Sequence, residues 1–364
     1  MNYKVSLSAV RVPEETYPLM HKALDEGKIG QSEYVQEFEE AVARFVGARY
    51  CIAVSNGTMA DAVAVAAMKE AYGMKRAIVP ALTFIAQPNS VCYNGLDVVF
   101  ADVGNDWQMD FDGVGYADEW KATNIYFPAD LMGRIFEYPN LFPPEKRQFT
   151  IEDACESFGS RGSDGKYAGT YGALGTYSFF PSHTISTGEG GAIVTNDSNL
   201  AELCRFIRAH GAVSSDPMRK FEFPIFGFNA RMTTMQAVLG IAVMNHIEEY
   251  LLERRVIFAE MRRNLGGFVR DGDDFIVPHA YPIEYVSQEA RDAAMRKLIE
   301  EGIECRKLFS CIPGNEHHYK NHKGTFPNAE RIASTHLYLP CHQNMTMDDV
   351  EYILKVMDKI GGRA

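Results

Sequence analysis

The chain has 364 residues, of which 46% are hydrophobic and 23% are charged, enough for one large globular domain and a smaller one. Because 36 basic residues face 48 acidic ones, the net charge of −12 repels a phosphate backbone, so we expect neither nucleic acid nor anionic lipid as a partner. The N-terminus lacks the apolar core of a signal peptide, and no run of roughly 18 apolar residues occurs, so we expect a cytoplasmic protein without a membrane span.

The seven cysteines are odd in number and contain no C-x-x-C pair, which favours reduced thiols over a disulfide framework. Cys311 lies near His317 and His318 in the sequence. One thiolate and two adjacent histidines do not supply the spaced ligands that zinc needs, so we expect no metal site.

The first part of the chain alternates between helical and strand patterns. Apolar residues at helical spacing predict helices over residues 13–26 and 33–46, followed by a strand over 49–54 and a buried helix over 58–71. Further short apolar runs predict strands at 77–80, 97–101, 124–127 and 148–151. Strands alternating with helices are typical of an α/β fold whose mainly parallel sheet is covered by helices on both faces.

The pattern changes in the second half. From Gly172, glycine-rich and β-branched segments ending at 192–195 predict antiparallel strands. Helical spacing over 236–265 predicts a connector to a small C-terminal α+β unit. We expect domains over residues 1–240 and 241–364, the second with a strand at Phe275-Ile-Val277 and helices over 288–301 and 348–360.

Four segments carry residues suited to ligand binding or catalysis. The turn Ser55-Asn-Gly-Thr58 joins a strand to a helix, where backbone N–H groups could hold a phosphate or simply be capped. Asp153 follows a strand and could pair with a cationic ring nitrogen or cap a helix. His183, on a glycine-rich loop, could be a structural hydrogen-bonding residue or a base. Asn229 and Arg231 precede a long helix and could bind a ligand or cap that helix.

Together these segments resemble the sugar-nucleotide aminotransferase (DegT/StrS) family of fold-type-I pyridoxal-phosphate enzymes. The resemblance covers nearly the whole chain, and the order and spacing of its motifs make it specific. The motifs are Ser55-Asn-Gly-Thr58, Val79-Pro-Ala-Leu-Thr-Phe84, Glu152-Asp-Ala-Cys-Glu156-Ser, Ser178-Phe-Phe-Pro-Ser-His183, Gly188-Glu-Gly-Gly-Ala-Ile-Val-Thr-Asn196, Gly227-Phe-Asn-Ala-Arg231-Met-Thr and Leu337-Tyr-Leu-Pro340.

The resemblance implies a cofactor, pyridoxal 5′-phosphate or pyridoxamine 5′-phosphate, and roles for individual residues. Phe84 would stack on its ring, Asp153 would keep the ring nitrogen protonated, and Glu156 would lie at the ring hydroxyl. Asn229 would reach the phosphate of a neighbouring subunit, which implies a homodimer, and Arg231 would contact the substrate. The phosphate would be held in its own subunit by Gly57, Thr58, Met59 and Ser178.

His183 departs from the family pattern, because it stands where the aminotransferases carry the lysine that binds the cofactor covalently. The resemblance is then to the family's histidine-bearing, pyridoxamine-dependent branch (GDP-4-keto-6-deoxy-mannose 3-dehydratase-like). That branch implies C3 dehydration of a nucleotide-linked 4-keto-6-deoxy sugar, with His183 as base and glutamate as amino donor. Thr184 and Arg231 differ from the histidine and lysine expected there. An atypical or Lys-to-His aminotransferase and a catalytically silent cofactor-binding protein are the alternatives.

Overall fold

The computed structural model describes residues 3–110, 124–136, 144–212, 221–266, 275–322 and 324–361. Eleven α-helices lie in these ranges: α1 (Thr16–Asp25), α2 (Glu33–Val46), α3 (Gly57–Tyr72), α4 (Ala86–Tyr93), α5 (Ser198–Arg208), α6 (Thr234–Asn245), α7 (Ile247–Leu265), α8 (Gln288–Glu300), α9 (Ile312–Asn315), α10 (Pro327–Thr335) and α11 (Met347–Lys359). In the same ranges, no helix is long and apolar enough to cross a membrane.

Ten strands accompany them in the described ranges: β1 (Tyr50–Val54), β2 (Arg76–Pro80), β3 (Asp97–Ala101), β4 (Asn124–Tyr126), β5 (Ile151–Asp153), β6 (Leu174–Ser178), β7 (Gly191–Thr195), β8 (Tyr281–Glu284), β9 (Arg306–Lys307) and β10 (His336–Leu339). The first seven form the sheet of the large domain. The last three form a separate antiparallel sheet of order β8-β10-β9.

The large sheet has the order β3-β2-β4-β5-β6-β7-β1. Strands β3-β2-β4 and β5-β6-β7-β1 are each continuous, and two parallel bridges, Tyr126 to Thr150 and Ala129 to Asp153, connect β4 to β5. Only β7 runs against its neighbours in this sheet as described. The predicted mainly parallel sheet is confirmed, and so is the predicted antiparallel pairing in the segment that ends at residues 192–195, where β6 pairs with β7.

Side chains alternate between two cores on the faces of this sheet. In β1, Ile52 and Val54 pack in the core that α3 covers, whereas Cys51 and Ala53 pack in the core that α2 and α6 cover. This period of two is the geometry of a strand, and burial on both faces explains why the strands read as continuous apolar runs.

Helix α3 brings its N-terminus to the edge of this sheet. The Asn56 side chain accepts a hydrogen bond from the Met59 N–H at 2.9 Å, which caps the helix. Gly73 ends the helix with φ of 65°, a conformation that costs glycine no steric strain.

Three details of the fold differ from the sequence predictions. The strand predicted at 275–277 is wrong: this segment is irregular and is bound to the large domain, with Val277 N–H donating to Ser160 Oγ at 2.8 Å. The apolar residues there are used for packing, and the strand begins instead at Tyr281. The helix predicted over 236–265 is two helices, which meet at His246. Strand β5 begins at Ile151 and not at residue 148 as predicted, because residues Pro144–Phe149 form a 3-10 helix.

The proposed boundary at residue 240 falls inside α6. Packing also crosses the division, because Val5 bridges to Ile303 and lies in the C-terminal core. We propose that the boundary follows α6 near His246 and that the first described residues belong with the small C-terminal domain.

Candidate active site

A cavity of about 620 Å³ opens at the carboxyl ends of the parallel strands. Residues that follow β1, β2, β4, β5 and β6 form its floor, and the C-terminal domain supplies the opposite wall. This is the edge at which open α/β sheets bind ligands. The residues that line it include Gly57, Thr58, Met59, Asp61, Phe84, Asp130, Asp153, Cys155, Glu156, Ser178, His183, His279, Arg306, Phe309 and Tyr338.

One end of the cavity has the features of a phosphate site. Gly57 packs so closely on β6 that a Cβ built on it would lie 2.7 Å from the Cβ of Ser178, so the strand and the N-terminus of α3 meet there. The positive end of the helix dipole and the hydroxyls of Thr58 and Ser178 favour an anion. The Met59 N–H already donates to the Asn56 side chain, which caps the helix. The two alternatives predicted for this turn, a helix cap and a phosphate site, are therefore compatible.

The floor next to this end is acidic. Asp153 accepts a hydrogen bond from the Cys155 N–H at 3.1 Å and lies beside Asp61, a buried residue of α3 that the sequence reasoning missed. One ligand atom from each of Asp61, Asp153 and Cys155 lies within 4.8 Å of the others. Burial raises the pKa of both carboxyls. Within the described ranges neither forms an ion pair, so this floor suits a cationic group.

An aromatic surface lies above the floor. Phe84 is 56% exposed although it forms part of the cavity wall, and its ring is 5.9 Å from that of Phe309 at a tilt of 53°. An exposed ring at this place can stack on a flat aromatic ligand. The cavity therefore combines an anion site, an aromatic surface and a buried negative charge, which fit the phosphate, the ring and the ring nitrogen of a pyridoxal-type cofactor.

His183 lies on the loop between β6 and β7. Arg254, which is 1% exposed, positions this loop by donating to the His183 carbonyl at 2.9 Å. Burial, followed by the charge of Arg254, lowers the pKa of His183 to about 4. The imidazole is therefore neutral at physiological pH and can accept a proton.

Glu156 and His279 extend this group. The rings of His183 and His279 have centroids 5.0 Å apart, and His279 Nε2 lies 3.7 Å from Glu156 Oε1. Burial lowers the pKa of His279 well below its usual value and raises that of Glu156 to about 8. The other Glu156 oxygen accepts the Met132 N–H at 2.9 Å. The site thus holds a neutral base close to a protonated acid, a pairing typical of acid–base catalysis.

The sequence reasoning also missed His279 and Arg254. Arg254 donates to the carbonyls of His183, Pro278 and His279 and to the side chain of Gln343, so one residue fixes both histidine segments. No local motif marks either residue. His279, a polar residue directly after an apolar run, was the available signal, whereas Arg254 stands between Glu253 and Arg255 and had none.

Asn229 and Arg231 do not line this cavity. Asn229 is exposed, and Arg231 bridges to Val54 on the outer side of β1. Their predicted roles, toward a neighbouring subunit and toward the substrate, stay predictions. A second cavity of about 570 Å³, beside the buried pair of Arg208 and Glu39, contains none of the predicted site residues.

Comparison with known proteins agrees with this geometry. Residues 11–358 match the DegT/DnrJ/EryC1/StrS aminotransferase family. GDP-perosamine synthase of Caulobacter vibrioides is 31% identical over an alignment of 374 positions, gaps included, that covers 98% of each chain. GDP-4-keto-6-deoxy-D-mannose 3-dehydratase of Yersinia pseudotuberculosis is 28% identical, with 95% of this chain and 96% of that one covered.

A solved structure is similar throughout. It is that of a GDP-4-keto-6-deoxymannose-3-dehydratase with a trapped PLP-glutamate geminal diamine, with a TM-score of 0.84, 25% identity, and 97% of this chain and 100% of that chain covered. The predicted fold type and cofactor are confirmed. The family match and the full-length relatives show that the chain belongs to the DegT/DnrJ/EryC1/StrS aminotransferase family of pyridoxal-phosphate-dependent enzymes, which act on nucleotide-linked sugars.

Proposed function

We propose that the chain catalyses the pyridoxamine-phosphate-dependent C3 dehydration of a nucleotide-linked 4-keto-6-deoxy sugar, with His183 as the base. One observation carries this proposal: His183 lies on the cavity wall where covalent attachment would require a lysine, and no lysine is among the described residues that line the cavity. An imidazole cannot form that covalent link, but it can move a proton.

The described residues support an acid–base role. The pKa of His183, lowered to about 4, leaves the imidazole neutral and ready to accept a proton from the bound cofactor–substrate pair. The same group can then return that proton to the departing C3 hydroxyl. When bound, the cofactor supplies an electron sink, which Asp153 strengthens by keeping the ring nitrogen protonated. Glu156, with its pKa raised to about 8, would stay protonated beside the ring hydroxyl.

Glutamate is the proposed amino donor, and the proposed balance accounts for every atom. The C3 hydroxyl leaves the sugar as water, and the hydrolytic release of the product consumes water in equal amount. Glutamate is oxidised to 2-oxoglutarate, and its nitrogen is released as ammonia. An aminotransferase would instead keep the nitrogen on the sugar. The two reactions therefore differ in the mass of the product and in free ammonia.

The test is a product assay with purified protein, glutamate, pyridoxamine phosphate and a panel of GDP- and dTDP-linked 4-keto-6-deoxy sugars. We expect a product lighter than the substrate by one oxygen atom, together with ammonia. An amino sugar as sole product would overturn the proposal. Borohydride treatment of the holoenzyme should leave no covalent protein–cofactor adduct.

Two variants of His183 test whether this residue is the base. His183→Lys should give a borohydride-trapped adduct and lose dehydration, whereas His183→Gln should lose dehydration without forming an adduct. Unchanged dehydration in His183→Gln would mean that another group is the base.

The aminotransferase alternative rests on the 31% identity to GDP-perosamine synthase, against 28% to the dehydratase. In that case His183 would manage a proton transfer that ends with the nitrogen on the sugar. The same product assay distinguishes the two, since it detects the amino sugar and the deoxygenated sugar in one measurement. We also propose a homodimer, in which Asn229 reaches the partner's cavity.

A further inference from the structure

Asp61 is a second carboxylate beneath the cofactor cavity. It lies in the second turn of α3, among small and apolar residues, and only 2% of its surface is exposed. The Thr176 hydroxyl donates to Asp61 Oδ1 at 2.7 Å. Thr176 is also the register partner of Asp153 in the β5–β6 ladder, so the strand pairing itself places the two carboxylates side by side.

Two buried carboxylates at this separation do not ionise together, because their repulsion is poorly screened where water is excluded. Their donors decide which one keeps a proton. Asp153 accepts from the Cys155 N–H and thiol, which stabilise its charge. Among the residues that the structure describes, Asp61 accepts a side-chain hydrogen bond from Thr176 only, and it faces the charge of Asp153. Asp61 is therefore the member that holds the proton while the ring-nitrogen site contains no cation.

We propose that Asp61 is a positioning residue of the ring-nitrogen site, and that it ionises when the cationic ring nitrogen of the cofactor binds against Asp153. The inference rests on the proposed cofactor contacts and is independent of whether the sugar is dehydrated or aminated. Two carboxylates would then face one cation. Burial, and after it the charge of Asp153, opposes the ionisation of Asp61. A positive charge within about 4–6 Å stabilises an ionised carboxylate by about one to three pKa units and so acts against both effects.

Two consequences can be measured without turnover. Binding of pyridoxamine phosphate should release a proton from Asp61, and the second charge should keep the ring nitrogen protonated to higher pH. Asp153 and the Cys155 thiol are the titratable groups that face Asp61. Glu156, His183 and Asp130 are further titratable residues that line the same cavity. All three are retained in every variant, so a difference in proton release between variants reports the titration of Asp61.

The experiment compares the wild type with Asp61→Asn, which keeps the shape of the side chain and an acceptor for Thr176. Calorimetry of pyridoxamine phosphate binding, in buffers of different ionisation enthalpy, counts the protons released. We expect the wild type to release up to about one proton more per site than Asp61→Asn. The absorbance titration of the bound ring should shift down by about one pH unit or more in the variant.

Two further variants complete the design. Asp102→Asn removes a buried carboxylate that does not line the cavity and instead accepts the N–H groups at the start of α10, so its titration should match the wild type. Thr176→Val keeps Asp61 but removes its donor, so proton release should move to higher pH.

The outcomes distinguish a failure of the proposed cofactor contacts from a failure of the role proposed for Asp61. If the wild type binds neither pyridoxamine phosphate nor pyridoxal phosphate, the proposed cofactor contacts fail and this inference fails with them. If it binds the cofactor, and Asp61→Asn and Thr176→Val both titrate as the wild type does, only the role of Asp61 is overturned. Should Asp61→Asn fail to fold, Thr176→Val alone decides.

Discussion

Glu156→Gln should make the cofactor-free protein more stable at alkaline pH. The Glu156 side chain is only 11% exposed, and burial raises its pKa from 4.5 to about 8. Because the folded state then binds more protons than the unfolded state between those two values, the free energy of unfolding falls as the pH rises through that interval. The shift corresponds to about 5 kcal/mol at most. Glutamine keeps an acceptor for the Met132 N–H at 2.9 Å but has no charge to bury.

The assay is urea unfolding of both proteins across a pH series from about 5 to about 9, at one protein concentration. The buried carboxyls of Asp61 and Asp153 occur in both proteins, so their contributions cancel to first order. The stability difference, variant minus wild type, should rise with pH and level off above about 8. Glu70→Gln, at an exposed position of α3, is the matched control and should give a flat difference.

The opposite slope would refute this reasoning. His279 Nε2 lies 3.7 Å from Glu156 Oε1, a distance at which a protonated imidazole and a carboxylate would form an ion pair. In that case, Glu156→Gln would leave a buried charge unpaired and would destabilise the protein by about 3–5 kcal/mol near neutral pH. Burial argues for the neutral pair, since it lowers the pKa of His279 and raises that of Glu156.

Three further predictions follow from the site. Arg254→Met should lower the free energy of unfolding by about 3 kcal/mol or more, because the buried carbonyls of residues 183, 278 and 279 lose their donor. Urea unfolding measures this difference, and a loss under about 1 kcal/mol would contradict the prediction. Dehydration, followed as kcat/KM against pH, should stay level on the acid side down to about pH 5, because burial lowers the pKa of His183 to about 4; an acid limb centred near 6.5 would contradict this. Mixing His183→Ala subunits with Asn229→Ala subunits should recover about a quarter of wild-type activity. Half of the dimers are then mixed, and each mixed dimer has one intact site of its two. No recovery after mixing would mean that Asn229 serves its own subunit.

The elements and several of the residues that line the cavity were predictable because their signals are local. A helical or strand period shows in a short stretch, which explains why 33–46 and 97–101 were predicted with the observed bounds. Asp153 and Ser178 stand at strand ends, and strand ends of one parallel sheet meet at one edge. The strand predicted at 275–277 failed because an apolar run looks the same whether it pairs in a sheet or packs as a loop.

The sequence by itself determined the α/β order, the family, and the absence of a lysine at position 183. Only the tertiary structure decided the chemical state of the groups around that position. Arg254 and His279 reach His183 from distant parts of the chain, and Glu156 reaches His279. Burial makes both imidazoles neutral and the Glu156 carboxyl protonated. Asp61 shows the same rule, because α3 and the β5–β6 register place it beside Asp153. A pKa depends on neighbours and on excluded water, and both are products of the fold.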